Sequence, residues 1–353
     1  MLTTVSTEDL IAADHPIRRI RRVVDAVLAE LDDSFDAMYS AKGRPSVPPE
    51  RLLKASVLMA LYSIRSERAF CERLNYDLLF KWFLDLRIDE AAFDATTFSK
   101  NRQRLLDHAA ADRFFAQVVA QAKLRRYLSS DHFSVDGTLL EAWASHKSFK
   151  PKDQPPAEPP PGQGRNPDAD FHGEKRSNAT HASTTDPESR LYRKSMAAPA
   201  KLCFMGHLLM EHRNGLLVDM ELTRADGYAE RDAAMEMLDR LPARKRRRTV
   251  AGDKGYDTRD FVARARQRRF TPQVAQNTTK RRSAIDARTT RHAGYATSLR
   301  IRKRIEEPFG WIKTIAGGRK LRYLGRDRNR AWFVLAGAVY NILRITDLDL
   351  RST

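Results

Sequence analysis

Cysteine is nearly missing: Cys71 and Cys203 are the only two among 353 residues. No paired Cys or His spacing accompanies them, which excludes a zinc finger or a disulfide framework and suits a reducing cytoplasm. Any metal must then be held by oxygen. Long apolar runs are missing too. The longest, such as Trp332 to Tyr340, are far too short to span a bilayer, and Met1 to Asp9 lacks a basic region followed by an apolar one. The expectation is a soluble, unexported, cytoplasmic protein with no membrane partner. Acids are scarce in one quarter of the chain, where residues 240 to 330 hold 7 Asp or Glu against 28 Lys or Arg. That quarter carries +21, which leaves −3 for the rest of a chain whose net charge is +18. Such segregation is the footprint of a polyanion-binding surface, and nucleic acid is the commonest polyanion for a soluble basic protein.

What is present is ordinary globular material, 42% hydrophobic and long enough for two modest domains. Ile17, Ile20, Val24, Val27, Leu28 and Leu31 follow helical spacing, with Arg18, Arg19, Arg21 and Arg22 on the other side. Pro48-Pro49-Glu50 opens a second helix, and further helical patterns cover about Ser66 to Leu86, Thr97 to Leu106 and Ala111 to Arg125. Residues 1–125 therefore read as an all-helical domain for DNA binding or dimerisation. Its polar helix with Lys100 and Arg102 is a candidate groove reader, or equally a solvated face of a scaffold.

The periodicity then changes. His132 to Leu140 reads as a strand that ends in Asp136, turns at Gly137 and re-enters extended structure. Residues 149–195, rich in proline and poor in aliphatics, read as a flexible insertion. Leu202 to Glu211 and Leu216 to Thr223 flank Asn214-Gly215, a hairpin signal. Next come a helix over Ala229 to Leu241, a short strand from Thr249 ending at Asp253, a helix over Thr258 to Gln267, an extended stretch to Ala275, and an apolar helix over Trp332 to Ile345. The fold class expected is α/β (α+β): a ribonuclease H-like mixed sheet with flanking helices over 126–148 and 196–350, preceded by the helical domain.

Arg300 to Lys313 carries acids inside a basic segment. Wound at about 100° per residue, Arg302 and Lys313 project within roughly 40° of Glu306, while Glu307 points about a quarter turn away. A carboxylate between cations suits a site where an acid holds a divalent metal and the cations hold phosphate oxygens. The plainer reading is that Glu306 and Glu307 relieve repulsion among Arg300, Arg302, Lys303 and Arg304. Pro308 predicts a kink there, or a helix that begins near Glu306. Tyr256 and Trp311 read as core aromatics rather than base-stacking groups, and His207 and His212 as ordinary hairpin residues. Asp131, Glu141, Asp257 and Glu307 read as salt-bridge or surface partners.

Taken together, Ser134-Val135-Asp136-Gly137-Thr138, Gly252-Asp253-Lys254-Gly255-Tyr256 and Arg302 to Lys313 resemble the motifs of bacterial insertion-sequence transposases of the DDE superfamily, insertion sequence five type. The resemblance implies that Asp136, Asp253 and Glu306 are the catalytic and metal-holding acids, served by Mg2+ or Mn2+. Arg302, Glu306 and Lys313 fit the last motif, whose tyrosine position holds Leu299 here. It also implies double-stranded DNA as partner, both terminal inverted repeats and target, a homodimer in the DNA complex, and a bacterial, nucleoid-associated location. The DNA-binding candidates are Arg302, Lys313, Arg246, Arg247, Arg248, Lys254, Arg304, Lys100 and Arg102. Alternatives are a nuclease of the same fold and a catalytically silent regulator derived from a transposase.

Overall fold

Helices occupy the first third of the chain in the computed structural model, which describes residues 6–36, 38, 46–152, 176–193, 197–279 and 281–352. They are α1 (Thr7–Leu10), α2 (Ile17–Ala29), α3 (Asp32–Asp36), α4 (Pro49–Leu61), α5 (Glu67–Tyr76), α6 (Leu78–Phe83), α7 (Thr96–Asp107) and α8 (Ala110–Leu124). The apolar stripe of α2 is buried as its spacing requires. Pro49 sits in the first turn of α4, where its missing N–H costs nothing. One helical pattern over Ser66 to Leu86 becomes two helices because Asp77 interrupts it: its Oδ1 accepts from Phe80 N at 3.1 Å and caps α6.

Among the described residues, β1 (His132–Glu141) is followed by β2 (Phe149–Pro151), β3 (His181–Ser183), β4 (Arg190–Tyr192), β5 (Lys201–Glu211), β6 (Leu217–Arg224), α9 (Ala229–Arg240), β7 (Arg248–Gly252), α10 (Arg259–Gln267), β8 (Phe270–Val274), α11 (Ala287–Thr290), α12 (Ala293–Ile301) and α13 (Glu306–Thr314). A last helix, α14 (Arg326–Ser352), closes the chain of elements. The main sheet runs β4-β5-β1-β7-β8, with β6 sharing the outer edge of β5 with β4. It is mixed: β1 is antiparallel to β5 and parallel to β7, which is parallel to β8.

The proline-rich segment departs from expectation. Its described parts are structured, since Phe149 to Pro151 pair with His181 to Ser183 and Arg190 to Tyr192 extend the edge of the main sheet. Each strand is only three residues long and gains its partners from elsewhere in the chain, so local composition does not reveal it. Residues 153–175 and 194–196 of this segment lie outside the described residues.

Alternate residues of β1 face two cores. Phe133 and Val135 join the cluster built with α9 and α10, whereas Leu140 joins the cluster shared by α13, α14 and the N-terminal helices. Helix α14 is long and apolar enough to cross a membrane, yet 72% of its apolar window is buried inside the protein. That burial makes it a core helix. Asn341 ties it to the start of β6, accepting from Leu217 N at 2.9 Å and donating to Leu217 O at 2.8 Å. Gly206 of β5 lets it come close: a β-carbon there would lie 2.8 Å from Phe333.

Candidate active site

The parallel ladder between β1 and β7 pairs His132 with Thr249 and Ser134 with Ala251, then stops. Two residues beyond the last pair, each strand delivers an aspartate, Asp136 and Asp253, to the same face of the sheet. Here β7 ends, and Asp253 caps a 3-10 turn over Lys254–Tyr256 by accepting from Gly255 N at 2.7 Å. Strand β1 does not end at Asp136, contrary to the sequence reading. Gly137 and Thr138 stay paired with His207 and Gly206 of β5, so Asp136 sits mid-strand beside the gap that β7 leaves.

Helix α12 runs into a 3-10 turn over Arg302–Ile305, and α13 begins at Glu306. Pro308 therefore falls in the first turn of α13, where no backbone donor is needed. The tighter 3-10 winding takes Arg302 off the ideal stripe, at about 120° per residue rather than 100°. Its charge still reaches Asp136. The Asp136 carboxyl is pushed up to about 6, first by burial and then by the charges of Asp253 and Glu306, against the Gly137 N hydrogen bond and Arg302. Lys313, two turns along α13, donates from Nζ to Thr138 Oγ1 at 2.5 Å, on the same face of β1 as Asp136. Glu307 is among the charges that act on the Tyr340 hydroxyl of α14, which burial raises first.

Three carboxylates whose charges oppose one another suit a hard cation, which takes oxygen ligands and relieves the repulsion. Among the described residues no three His, Cys, Asp or Glu side chains are gathered around one point as ligands. Arg302 Nε is buried without a hydrogen-bond partner in the structure, a donor suited to a phosphate oxygen.

Residues 129–342 match the transposase DDE domain, and residues 5–104 match a transposase domain (DUF772). The chain belongs to the DDE transposase family. No curated protein matches it. Among solved structures, the piggyBac transposase synaptic complex with hairpin DNA is similar at 10% identity and TM-score 0.44, over 96% of this chain and 76% of that one. The Mos1 strand transfer complex is similar at 9% identity and TM-score 0.21, over 88% of this chain and 81% of that one.

The transposase spends several of its expected DNA-binding cations on its own fold. Arg248 is buried, donates to Pro242 O at 3.1 Å and lies over the Phe270 ring at 4.3 Å. Arg304 donates to the carbonyls of His212 and Arg213, at 3.3 Å each, clamping the β5–β6 turn. Arg102 pairs with Glu67 at 2.8 Å and stacks on Tyr323 at 4.6 Å. Each of these guanidinium groups has an internal partner that the sign of its charge does not reveal. Arg246 and Arg247 are exposed but precede β7, so they lie at the end of that strand opposite Asp253. Lys254 is exposed beside Asp253, and Lys100 is exposed on α7.

Neighbouring acids divide similarly. Asp131 pairs with Arg244 and Glu141 with Lys201, at 2.8 Å each. Asp257, read as a salt-bridge or surface partner, is instead buried and accepts from Asn277 N at 2.6 Å and Ala284 N at 2.8 Å. Tyr256 is fully buried, and the half-buried Trp311 packs on the core beside Tyr340. A further acid near β1 was not singled out in the sequence. Glu230, in the first turn of α9, comes so close to Gly137 that a β-carbon there would lie 2.7 Å from its Cγ. The glycine following Asp136 was the available signal.

Proposed function

We propose that this transposase, of the insertion sequence five type, binds the terminal inverted repeats of its element, cuts there and joins the freed ends to target DNA. Asp136, Asp253 and Glu306 form its catalytic centre within a ribonuclease H-like domain. The observation that carries this reading is geometric: Asp136 and Asp253, 117 positions apart in sequence, each follow the last β1–β7 pair by two residues, and Glu306, which opens α13, lies near enough for its charge to act on Asp136. Divalent ions, Mg2+ or Mn2+, supply activation of the attacking water or 3′-hydroxyl and stabilisation of the leaving oxygen. The chain's own part is to hold the acids at the gap between β1 and β7, and to present Arg302 and Lys313 to the phosphate on either side of them. Lys313 is steadied by Thr138, so its ammonium stays on the Asp136 face.

The helical segment 1–125 serves DNA binding and dimerisation, a reading supported by the transposase domain matched over residues 5–104. The working form on DNA is a homodimer, acting in the bacterial cytoplasm on nucleoid DNA.

Glu306 is assigned as the third acid rather than Glu307 because it opens α13 directly after the Arg302–Ile305 turn, and its charge acts on Asp136. Asp136→Asn and Glu306→Gln are expected to lower metal-dependent cleavage of a terminal-repeat duplex by at least ~10²-fold while retaining DNA affinity, and Glu307→Gln to keep most activity. Cleavage by Glu306→Gln at the wild-type rate, with Glu307→Gln inactive, would reverse the assignment. Strand transfer by the wild type into a second DNA separates transposition from simple hydrolysis.

A further inference from the structure

Trp143 is spent where burial gains nothing. It is 53% exposed, whereas its neighbours Ala142 and Ala144 are buried at 0% and 5% exposure. Trp82 and Trp332 are buried, and Trp311 packs against the core. The indole is backed by a cation, with Lys320 Nζ 5.6 Å from its ring centroid.

The placement of that cation is built into the fold. After α13 the chain turns at Gly317, whose φ is +75°, and at Gly318, where a β-carbon would lie 2.4 Å from Trp332 and 2.9 Å from Ile312 O. It then runs beside the end of β1, with Glu141 N donating to Arg319 O at 3.2 Å and Leu321 N to Glu141 O at 2.7 Å. Helix α13 and this return thus follow β1 from Asp136 outward, with Arg302 acting on Asp136, Lys313 on Thr138, and Arg319 and Lys320 flanking Glu141. A line of cations leads from the acids to an exposed aromatic face. This is the composition of a surface that follows a phosphate backbone and ends on a base.

We propose that Trp143, backed by Lys320, is a stacking platform for an unpaired base on the DNA strand whose phosphate lies at Asp136. The proposal rests on the catalytic centre proposed above. Trp143 is seven positions beyond Asp136, the first five along β1 and the last two in the bend after it, which is about 20 Å. At roughly 3.4 Å per stacked nucleotide, the base reached is about five or six positions from the scissile phosphate. An aromatic face accepts any base, so the contact selects an unpaired base rather than a sequence.

The test uses the full-length protein and terminal-repeat DNA carrying 2-aminopurine at successive positions on either side of the cleavage site, in Ca2+ to hold back cleavage. Wild type is expected to change the fluorescence most about five or six positions away. Trp143→Ala should abolish that change and Trp143→Phe restore part of it, with melting temperatures unchanged. Affinity for a single-stranded overhang spanning that position should fall about tenfold in Trp143→Ala, while affinity for a blunt duplex stays the same. An unaltered fluorescence profile and overhang affinity in Trp143→Ala would overturn the proposal. So would an equal loss on blunt duplex, which marks a groove contact, or a loss of self-association alone, which marks a protein contact. Asp136→Asn provides the separation: full cleavage by that variant sinks the catalytic assignment, whereas the Trp143-dependent fluorescence signal is read independently of it.

Discussion

His207 shows what burial does to a titratable side chain in this fold. It lies on β5 opposite Gly137, with Nε2 2.8 Å from Thr223 Oγ1, and burial pushes its imidazole from 6.5 down to about 3. Between those values the unfolded chain binds a proton that the folded chain refuses, so this contribution to stability is full above pH 6.5 and is lost as pH falls. Asp136 works the other way: raised from 3.8 to about 6, it burdens the fold at neutral pH and is relieved as pH drops. His207→Gln should therefore lose less melting temperature than wild type between pH 7 and pH 5. Parallel losses would place the titration elsewhere. At this scale the place of an acid is easier to read from sequence than the partner of a cation. An aspartate where an apolar run stops has few roles open to it, whereas Arg248 or Arg304 carries the same charge on a ring or a carbonyl as it would on a phosphate.

Among elements, the turn between α13 and the return to β1 has the least freedom. A methyl group on Gly318 meets the Trp332 ring and the carbonyl of Ile312, and the carbonyl cannot move without disturbing α13. Gly318→Ala should cost about 1–3 kcal/mol of stability, read as a lower midpoint in urea with an unchanged slope. It should also weaken DNA binding through displacement of Arg319 and Lys320. A midpoint within error of wild type would mean that this turn relaxes freely. Helices and long strands were legible because their apolar periods repeat over enough residues to stand out, as in α2 and β1. The strands β2, β3 and β4 were hidden, since three residues contain no period and their pairing partners are distant in sequence. The 3-10 turn before Glu306 was half legible: Pro308 located the start of α13, but nothing in Arg302 to Ile305 announces the tighter winding.

For the whole molecule, the +21 quarter overstates what DNA meets. Arg240, Arg244, Arg264, Arg268 and Arg330 from that quarter are held by Asp219, Asp131, Asp232, Asp239 and Asp112. Charge summed over a window counts residues without their partners, so sequence gives the sign of the surface and an upper limit to its strength. DNA affinity should still fall with salt, with log K against log salt sloping about −4 to −5, as for some five phosphate contacts. Reversing Arg246 and Arg247 together should weaken binding to every sequence alike and flatten that slope by about 2. A slope near zero in filter binding would remove the electrostatic account.

The position of α14 bears on how the protein is made. It packs against α2, α4 and α8 as well as β6 and α13, so the earliest helices and the catalytic sheet share one core that this late helix completes. During synthesis the part of this core that α14 covers stays open until α14 has left the ribosome. An apolar surface left open in this way is of the kind that chaperones shield.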